Sequence, residues 1–216
     1  MRQRKSLTFL VGVALTIGLS SGAGAQLASR TADEWIKTLD TPQRIATLKI
    51  DEVVGKLQLK PGQVVADIGA GTGLFEGALA GAVSPGGTVY AVDIDQGLVD
   101  HIMQRAKDLN VTNVRGVLGK FTDPTLPARN VDLAFINDVL HHIEDRATYL
   151  KSLAGYLKPS GRIAVIDFYP ERGSHRTQPE LQVTKEQTAA WMAAAGLKRS
   201  EEFELFPDKW FIVYSR

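Results

Sequence analysis

A short apolar segment that runs directly into a glycine-rich turn constrains this chain more than any other feature. Residues 64–68, Val-Val-Ala-Asp-Ile, have the composition of a buried strand, and Gly69, Gly71 and Gly73 follow before a helical pattern begins. Such a strand–turn–helix unit presents backbone N–H groups and a helix N-terminus to a ligand lying over the turn. Glycines let the ligand approach the backbone, because a Cβ atom would hold it away. Asp67, just before the turn, is a further candidate for the site.

A carboxylate at the end of the next predicted strand points to a nucleoside ligand. Asp93 lies twenty residues after Gly73, where a carboxylate can accept both hydrogen bonds of a ribose diol. The glycines alone also fit an ordinary tight turn, and Asp93 alone fits an exposed carboxylate, but the two in register favour nucleoside binding. A dinucleotide-binding turn ends in a small residue where this chain has Leu74, so its spacing is less typical of such a fold.

The rest of the chain alternates strand-like and helix-like segments. The predicted strands are residues 64–68, 88–94, 114–118, 131–136 and 162–168, and the predicted helices between them are residues 73–82, 97–109 and 146–157. This alternation predicts an α/β fold with a doubly wound, mostly parallel sheet and helices on both faces. After a helix at 185–195, the segments 198–205 and 209–214 are predicted to form an antiparallel hairpin at one edge.

The first 25 residues differ from the rest and predict a secretory signal peptide. Arg2, Arg4 and Lys5 precede an apolar run, which ends in small residues up to Ala25. This order is typical of a signal cleaved before Gln26, and it predicts an exported protein, periplasmic or secreted. Two alternatives stay open: an uncleaved membrane anchor, and a degenerate twin-arginine signal, which exports folded proteins.

One domain is expected after the signal. Residues 26–58 have helical periodicity, interrupted at Asp40-Thr41-Pro42, and are expected to pack on a core formed by residues 59–216. The chain contains no cysteine, which excludes thiolate nucleophiles, Cys-ligated zinc and disulfides. A formal net charge of +1 argues against a nucleic-acid partner, and loss of the signal leaves the remaining chain slightly acidic.

Three parts of the sequence together resemble the class I S-adenosylmethionine-dependent methyltransferases. They are the spacing Asp67-x-Gly69-x-Gly71-x-Gly73, the acidic strand end at Asp93, and the segment 157–161, Leu-Lys-Pro-Ser-Gly. The resemblance covers residues 43–216 and implies a seven-stranded sheet in the order 3-2-1-4-5-7-6, with the seventh strand antiparallel. It also implies S-adenosyl-L-methionine as the cofactor. The turn, with Ala70, would hold the methionyl part, Asp93 the ribose hydroxyls, and Ile94 would flank the adenine.

The sequence departs from the family pattern where many relatives place an aspartate for the adenine amino group. Lys120 occupies that position, and its ammonium group has donors only. Two alternatives follow: Phe121 holds the adenine with its backbone and ring, or Asp123 reaches in from the loop. Asp123 can also simply begin an Asp-Pro turn.

The transferable methyl group is expected to meet its acceptor just beyond the fourth strand, because ligands of open α/β sheets bind at the carboxyl ends of strands. The resemblance places Asn137 beside the methionyl group and makes His141 or His142 a catalytic candidate, together with Asp138. A histidine there can take a proton near neutral pH. The structural alternatives are a capping or packed histidine and a helix N-terminal carboxylate. No metal site is expected in residues 141–145, because adjacent residues rarely converge on one ion.

These observations predict a methyltransferase for a small-molecule or lipid-like acceptor, with no nucleic-acid partner and no stable membrane span after signal cleavage. Carbon-5 cytosine methylation is excluded because it needs a cysteine. Trp35, Trp191 and Trp210 can line an apolar acceptor pocket or pack in the core. Two other functions stay open: a non-catalytic nucleoside-binding or interaction protein on the same fold, and an NAD-dependent oxidoreductase.

Overall fold

Seven strands form one sheet in the computed structural model, which describes residues 30–216. The strands are β1 (Val64–Ile68), β2 (Thr88–Asp93), β3 (Val114–Leu118), β4 (Val131–Asn137), β5 (Leu157–Phe168), β6 (Lys198–Phe203) and β7 (Lys209–Ser215). Their order is β3-β2-β1-β4-β5-β7-β6. The first five are mutually parallel, and β7 runs antiparallel to both β5 and β6. The predicted fold class, strand order and hairpin are confirmed, and the predicted signal of residues 1–25 lies outside the described residues.

The helices of the described residues lie on both faces of the sheet. They are α1 (Ala32–Leu39), α2 (Pro42–Thr47), α3 (Ile50–Leu57), α4 (Glu76–Ala82), α5 (Gln96–Asp108), α6 (Arg146–Ala154) and α7 (Lys185–Ala194). One short 3₁₀ turn, Leu140–His142, follows β4, and a second, Pro179–Leu181, precedes α7. None of the helices within residues 30–216 has the length and apolar character needed to cross a membrane.

The sheet separates two apolar cores, as expected for parallel strands that are covered on both faces. Neighbouring residues of β4 show this division, because Phe135 packs on the side of α3, α4 and α5, and Ile136 on the side of α6 and α7. Successive strand side chains alternate between the two faces, and both faces are covered. The middle of β4, Leu133–Ile136, is therefore continuously apolar rather than alternating.

The helical region before β1 is broken twice. The break at Asp40-Thr41-Pro42 was expected, and a second break falls at Lys49, whose φ of 50° is left-handed. Helix α3 buries Val53, Val54 and Leu57 against the core. Helix α1 has no buried residue and instead contributes to the wall of a cavity described below.

Several predicted boundaries differ from the structure by one to five residues, and two of these differences have a local cause. Helix α4 begins at Glu76 rather than at residue 73, because the φ of +76° at Gly73 is incompatible with a right-handed helix. Strand β5 begins at Leu157 rather than at residue 162, and its pairing with β4 is irregular between Val131 and Leu133. Pro159, which has no N–H to donate, is therefore accommodated within an interrupted part of the ladder.

Candidate active site

A cavity of about 390 Å³ lies at the carboxyl ends of β1, β2 and β4. Its volume is in the range of small-ligand sites. The turn after β1, the ends of β2 and β3, and the segment after β4 form one side, and α1 and α2 close the other. The predicted site residues in its lining are Asp67, Gly69, Ala70, Gly71, Asp93, Ile94, Phe121, Asn137, Asp138 and His142. Gly73 and His141 lie outside this lining.

The glycine turn lets the Val139 side chain pack directly against its backbone, and the first N–H groups of the turn are hydrogen-bonded within the protein. Gly69 has a φ of +67°, and a Cβ there would lie only 2.5 Å from Cγ2 of Val139. The N–H groups of Gly69 and Ala70 both donate to the carbonyl oxygen of Val92, at 2.8 and 2.9 Å. These amides therefore hold the turn against β2 rather than facing a ligand, which corrects the expectation drawn from the strand–turn–helix pattern.

Asp93 is anchored by the same turn. Its Oδ2 accepts a hydrogen bond from the N–H of Gly71 at 2.9 Å, and its Oδ1 accepts one from Asp95 at 3.1 Å. Burial raises the pKa of the Asp93 carboxyl, and these backbone hydrogen bonds act in the opposite direction. A carboxylate oxygen has two acceptor positions. The group is therefore oriented by the protein and still able to accept hydrogen bonds from a ribose diol.

A second buried carboxyl lies behind the turn and was not predicted. Glu76, at the first position of α4, is buried together with Asp67. Burial raises the pKa of Asp67 to about 7, and burial together with the neighbouring Asp67 raises the pKa of Glu76 well above its usual value. An acidic residue in a first helical turn normally indicates only a favourable interaction with the helix dipole, so the sequence gives no sign of its burial.

The adenine end contains Phe121, while Asp123 lies elsewhere. Phe121 lines the cavity with 48% of its surface exposed. The carboxylate of Asp123 accepts hydrogen bonds from the Tyr156 hydroxyl at 2.8 Å, from the Thr125 N–H at 2.7 Å, and from the Ser152 hydroxyl. Asp123 thus attaches its loop to α6 and to Tyr156, which precedes β5. The alternative in which it reaches into the site is not what the structure shows, and Phe121 remains the candidate.

Asp138 lies in the cavity wall but is already paired with cations. Its Oδ2 accepts a hydrogen bond from Nζ of Lys209 at 2.7 Å, and Nη2 of Arg44 is 3.8 Å from the same oxygen. Burial raises the pKa of Asp138, and the Lys209 ammonium group opposes that rise. Oδ1 is buried and has no hydrogen-bond partner in the described part of the chain. Sequence reasoning missed both cations, because they come from α2 and β7.

The two adjacent histidines face in different directions. His141 is buried, its Nδ1 lies 2.7 Å from Oδ1 of Asp167, and its backbone N–H donates to Oδ2 of the same residue at 3.1 Å. His142 lines the cavity. Burial, with smaller contributions from His141 and His175, lowers the pKa of His142 to about 3. Of the two histidines, only His142 reaches the site, and it does so as a neutral imidazole at physiological pH.

The N-terminal helices close the cavity and are attached to the glycine turn. Trp35 and Leu39 of α1 and Arg44 of α2 belong to the lining. Asp40, at the end of α1, accepts hydrogen bonds from the Thr72 hydroxyl and, at 3.1 Å, from Arg105. Among the three tryptophans, Trp35 alone lines this cavity. Trp210 is buried in the core, and Trp191 packs at the edge of the core.

The sequence matches known methyltransferases over its central part. Residues 66–165 match a family model described as a methyltransferase domain. Phosphoethanolamine N-methyltransferase 1 of Zea mays is 30% identical over 122 residues, which cover 56% of this chain and 24% of that protein. Demethylmenaquinone methyltransferase of Geobacillus sp. (strain WCH70) is 26% identical over 117 residues, which cover 54% of this chain and 50% of that protein. The match thus spans from about a quarter to half of the length of these relatives.

The fold extends this similarity to nearly the whole described chain. The crystal structure of a SAM-dependent methyltransferase from Aquifex aeolicus aligns with a TM-score of 0.77 at 24% identity, covering 86% of this chain and 98% of that one. S-adenosylmethionine is the cofactor that accompanies this fold, and the oriented carboxylate of Asp93 suits a nucleoside of that kind. The chain therefore has the fold of the class I S-adenosylmethionine-dependent methyltransferases, and its residues 66–165 match a methyltransferase domain.

Proposed function

We propose that this chain transfers the methyl group of S-adenosylmethionine to a small-molecule or lipid-like acceptor. The observation that carries the proposal is the continuity of one cavity, which joins Asp93 at one end with Asn137, Asp138 and His142 at the other. The glycine turn lies between these two ends. A nucleoside held at Asp93 would thus direct its methionyl part towards the segment after β4.

Positioning is the main contribution expected from the residues of the site. The bound cofactor supplies an electrophilic methyl group on a sulfonium, and transfer needs a nucleophile held in line with it. Asp138 is a weak candidate for a base because Lys209 already occupies its Oδ2. His142 is neutral and can accept a hydrogen bond, but its lowered pKa makes it a weak proton acceptor. We infer that the site orients the acceptor more than it deprotonates it.

The walls near the transfer point support an acceptor with an apolar part. Trp35, Leu39, Val139 and Ile143 contribute apolar surface to the cavity. Asp138 and Arg44 are charged residues of this part of the lining, and the unpartnered Oδ1 of Asp138 can accept a hydrogen bond from an acceptor hydroxyl or amine. The named substrates of the two relatives are phosphoethanolamine and demethylmenaquinone, one a small amine and the other a quinone. Both kinds are compatible with this lining.

Calorimetric titration tests the cofactor part of the proposal. We expect binding of S-adenosylmethionine and of its demethylated product, and weaker binding by about 1–3 kcal/mol in Asp93→Ala, because the ribose hydrogen bonds are lost. Asp100→Ala, which removes an exposed carboxylate of α5, is the matched control. Absence of heat with both sulfur nucleosides would refute the proposal, and binding of NAD would favour an oxidoreductase. Binding without methyl transfer to any component of envelope extracts would favour the non-catalytic alternative.

We also propose that residues 1–25 are a signal peptide and that the mature chain, beginning at Gln26, acts outside the cytoplasm. The support is the order of basic tip, apolar run and small residues in the sequence. S-adenosylmethionine is made in the cytoplasm, so an exported enzyme needs a source of cofactor outside it. Export of the folded protein with the cofactor already bound would meet that need. Intact-mass measurement of the protein from the cell envelope tests this, and a chain that retains Met1 would contradict cleavage.

A further inference from the structure

Three of the four histidines of the chain lie together beside the cavity. His141 and His142 follow β4, and His175 belongs to the loop after β5. The ring centroid of His141 is 4.1 Å from that of His142 and 4.7 Å from that of His175. One ligand nitrogen from each ring lies within 4.8 Å of the others. Residues 141–145 alone were not expected to hold a metal ion, but the fold adds a third imidazole from another segment.

Hydrogen bonds fix the orientation of two of these rings. Nδ1 of His141 lies 2.7 Å from the Asp167 carboxylate, and Nδ1 of His175 lies 2.8 Å from Oε1 of Gln178. Both partners are acceptors, so each Nδ1 carries the proton and each Nε2 is left to bind an ion. A carboxylate or amide oxygen behind the ring is how proteins usually orient metal-ligating histidines. Nδ1 of His142 is buried and has no hydrogen-bond partner within residues 30–216, so this nitrogen is also available as a metal ligand.

Hydrogen bonds of the protein itself, and not a metal ion, hold together the two segments that carry the histidines. The guanidinium group of Arg146 donates to the carbonyl oxygens of His141 at 2.7 Å and Glu180 at 3.1 Å, so it connects the two 3₁₀ turns. The loop that carries His175 follows β5 and passes close to that strand at Gly173, where a Cβ would lie 2.4 Å from Cβ of Phe168. Glycine at this position therefore lets the loop approach the strand two residues before His175. The cluster is therefore built by the fold.

We propose that His141, His142 and His175 bind a divalent first-row transition-metal ion, with Zn²⁺ as the reference ion. Three imidazoles without thiolates suit Zn²⁺, Cu²⁺, Ni²⁺ or Fe²⁺, whereas Mg²⁺ and Ca²⁺ prefer oxygen ligands. A tetrahedral zinc site with Zn–N distances of about 2.0–2.1 Å holds its nitrogens about 3.4 Å apart, so small side-chain rotations suffice to close this cluster. Three protein ligands leave a fourth position open. Since His142 also lines the cavity, the ion lies at the cavity wall.

Metal binding can be measured independently of methyl transfer. The full chain, prepared without a histidine tag and stripped with a chelator, is dialysed against Zn²⁺, and bound zinc is counted by mass spectrometry. We expect one tightly bound zinc ion per chain and a loss of affinity of at least roughly 100-fold in His142→Gln and in His175→Gln, because removal of outer-sphere partners alone costs about 10–100-fold. Asp167→Asn is expected to fall within that outer-sphere range. Replacement of zinc by Co²⁺ should give visible absorption bands that His175→Gln abolishes.

His101→Gln is the matched control, because it removes the fourth histidine, which lies on α5 with its Nε2 3.8 Å from Asp40. This variant is expected to bind zinc as the wild type does. His175 is half-buried in a loop, so His175→Gln should stay folded, which a circular-dichroism melt verifies. Wild-type affinity in His175→Gln or His142→Gln would overturn the proposal, as would a wild-type chain that retains less than one zinc ion.

Discussion

Replacement of Lys209 by methionine tests the charge balance at the acceptor end of the cavity. Nζ of Lys209 is 2.7 Å from Oδ2 of Asp138, and the two side chains are only 7% and 10% exposed. Removal of one partner from a buried ion pair costs about 3–5 kcal/mol, because the other charge stays buried and uncompensated. Arg44 remains 3.8 Å from the same oxygen. We therefore expect Lys209→Met to lower the free energy of unfolding by about 3 kcal/mol, the lower end of that range.

A double-mutant cycle separates the ion pair from other effects of the substitution. Methionine keeps an unbranched stem where Lys209 lies over the rings of Phe168 and Phe206. Urea unfolding at pH 7 of Lys209→Met, Asp138→Asn and the double variant should show a coupling of about 2 kcal/mol or more, since the double variant leaves no buried charge unpaired and the Arg44 side chain is 29% exposed. The surface pair of Lys185 and Glu202, 30% and 31% exposed, is the matched control. Lys185→Met should cost less than about 1 kcal/mol.

The pH dependence of the same variants provides a second check. Burial raises the pKa of Asp138, and loss of the Lys209 ammonium group should raise it further. The folded-state pKa then exceeds the unfolded value of about 4. The penalty of Lys209→Met is therefore absent below the unfolded pKa, where Asp138 is protonated in both states, and it develops as the pH rises through the folded-state pKa. The difference in stability between wild type and variant should shrink as the pH falls from 7 to 4. A constant difference, or additive effects in the cycle, would refute the reasoning.

Three other substitutions address the turn, the buried carboxyls and the adenine end. Gly69→Ala introduces a Cβ 2.5 Å from Val139 at a φ of +67°, so calorimetric melting should show lower thermal stability, partly recovered by an additional Val139→Ala. Glu76→Gln removes one of two buried carboxyls with raised pKa values. The folded wild type holds protons that the unfolded chain releases, so its stability falls as the pH rises from about 4 towards the pKa of about 7 of Asp67. Urea unfolding at pH 5 and pH 8 should show a smaller loss of stability in Glu76→Gln than in the wild type. Phe121→Ala should weaken S-adenosylmethionine binding by about 1–3 kcal/mol in titration calorimetry, through loss of stacking, with a change in unfolding free energy within about 0.5 kcal/mol.

The sheet could be predicted because its signals are local. Strands β1 and β3 have the predicted bounds, since each is a short segment with two valines that lies between turn residues. The last-turn residues of several helices and the start of β5 were less predictable. At the start of β5, pairing with β4 overrides the turn preference of Pro159-Ser160-Gly161, so the strand continues through a sequence that alone indicates a loop.

The cavity wall was predictable only on the side that comes from strand ends. Asp93 and Asn137 follow predicted strands, and parallel strands bring their carboxyl ends to one edge. Trp35, Arg44 and Lys209 reach the same cavity region from the first helices and the last strand, and no spacing in the sequence relates them to the glycine turn. Their positions depend on how α1 and α2 pack and on the antiparallel insertion of β7 beside β5.

The sequence around His141 and His142 does not by itself show which of the two faces the cavity, but Asp167 in a neighbouring strand helps to decide it. In a 3₁₀ turn, with about three residues per turn, neighbouring side chains point in different directions, so only one of the two can face the cavity. Asp167 lies at the apolar end of β5, and a buried carboxylate requires a hydrogen-bonding partner. Strands β4 and β5 are parallel neighbours with Asn137 opposite Ile166, so the residues after β4 are those within reach of Asp167. The carboxylate binds the histidine that turns inward, and for that reason the next histidine is the one available to the cavity.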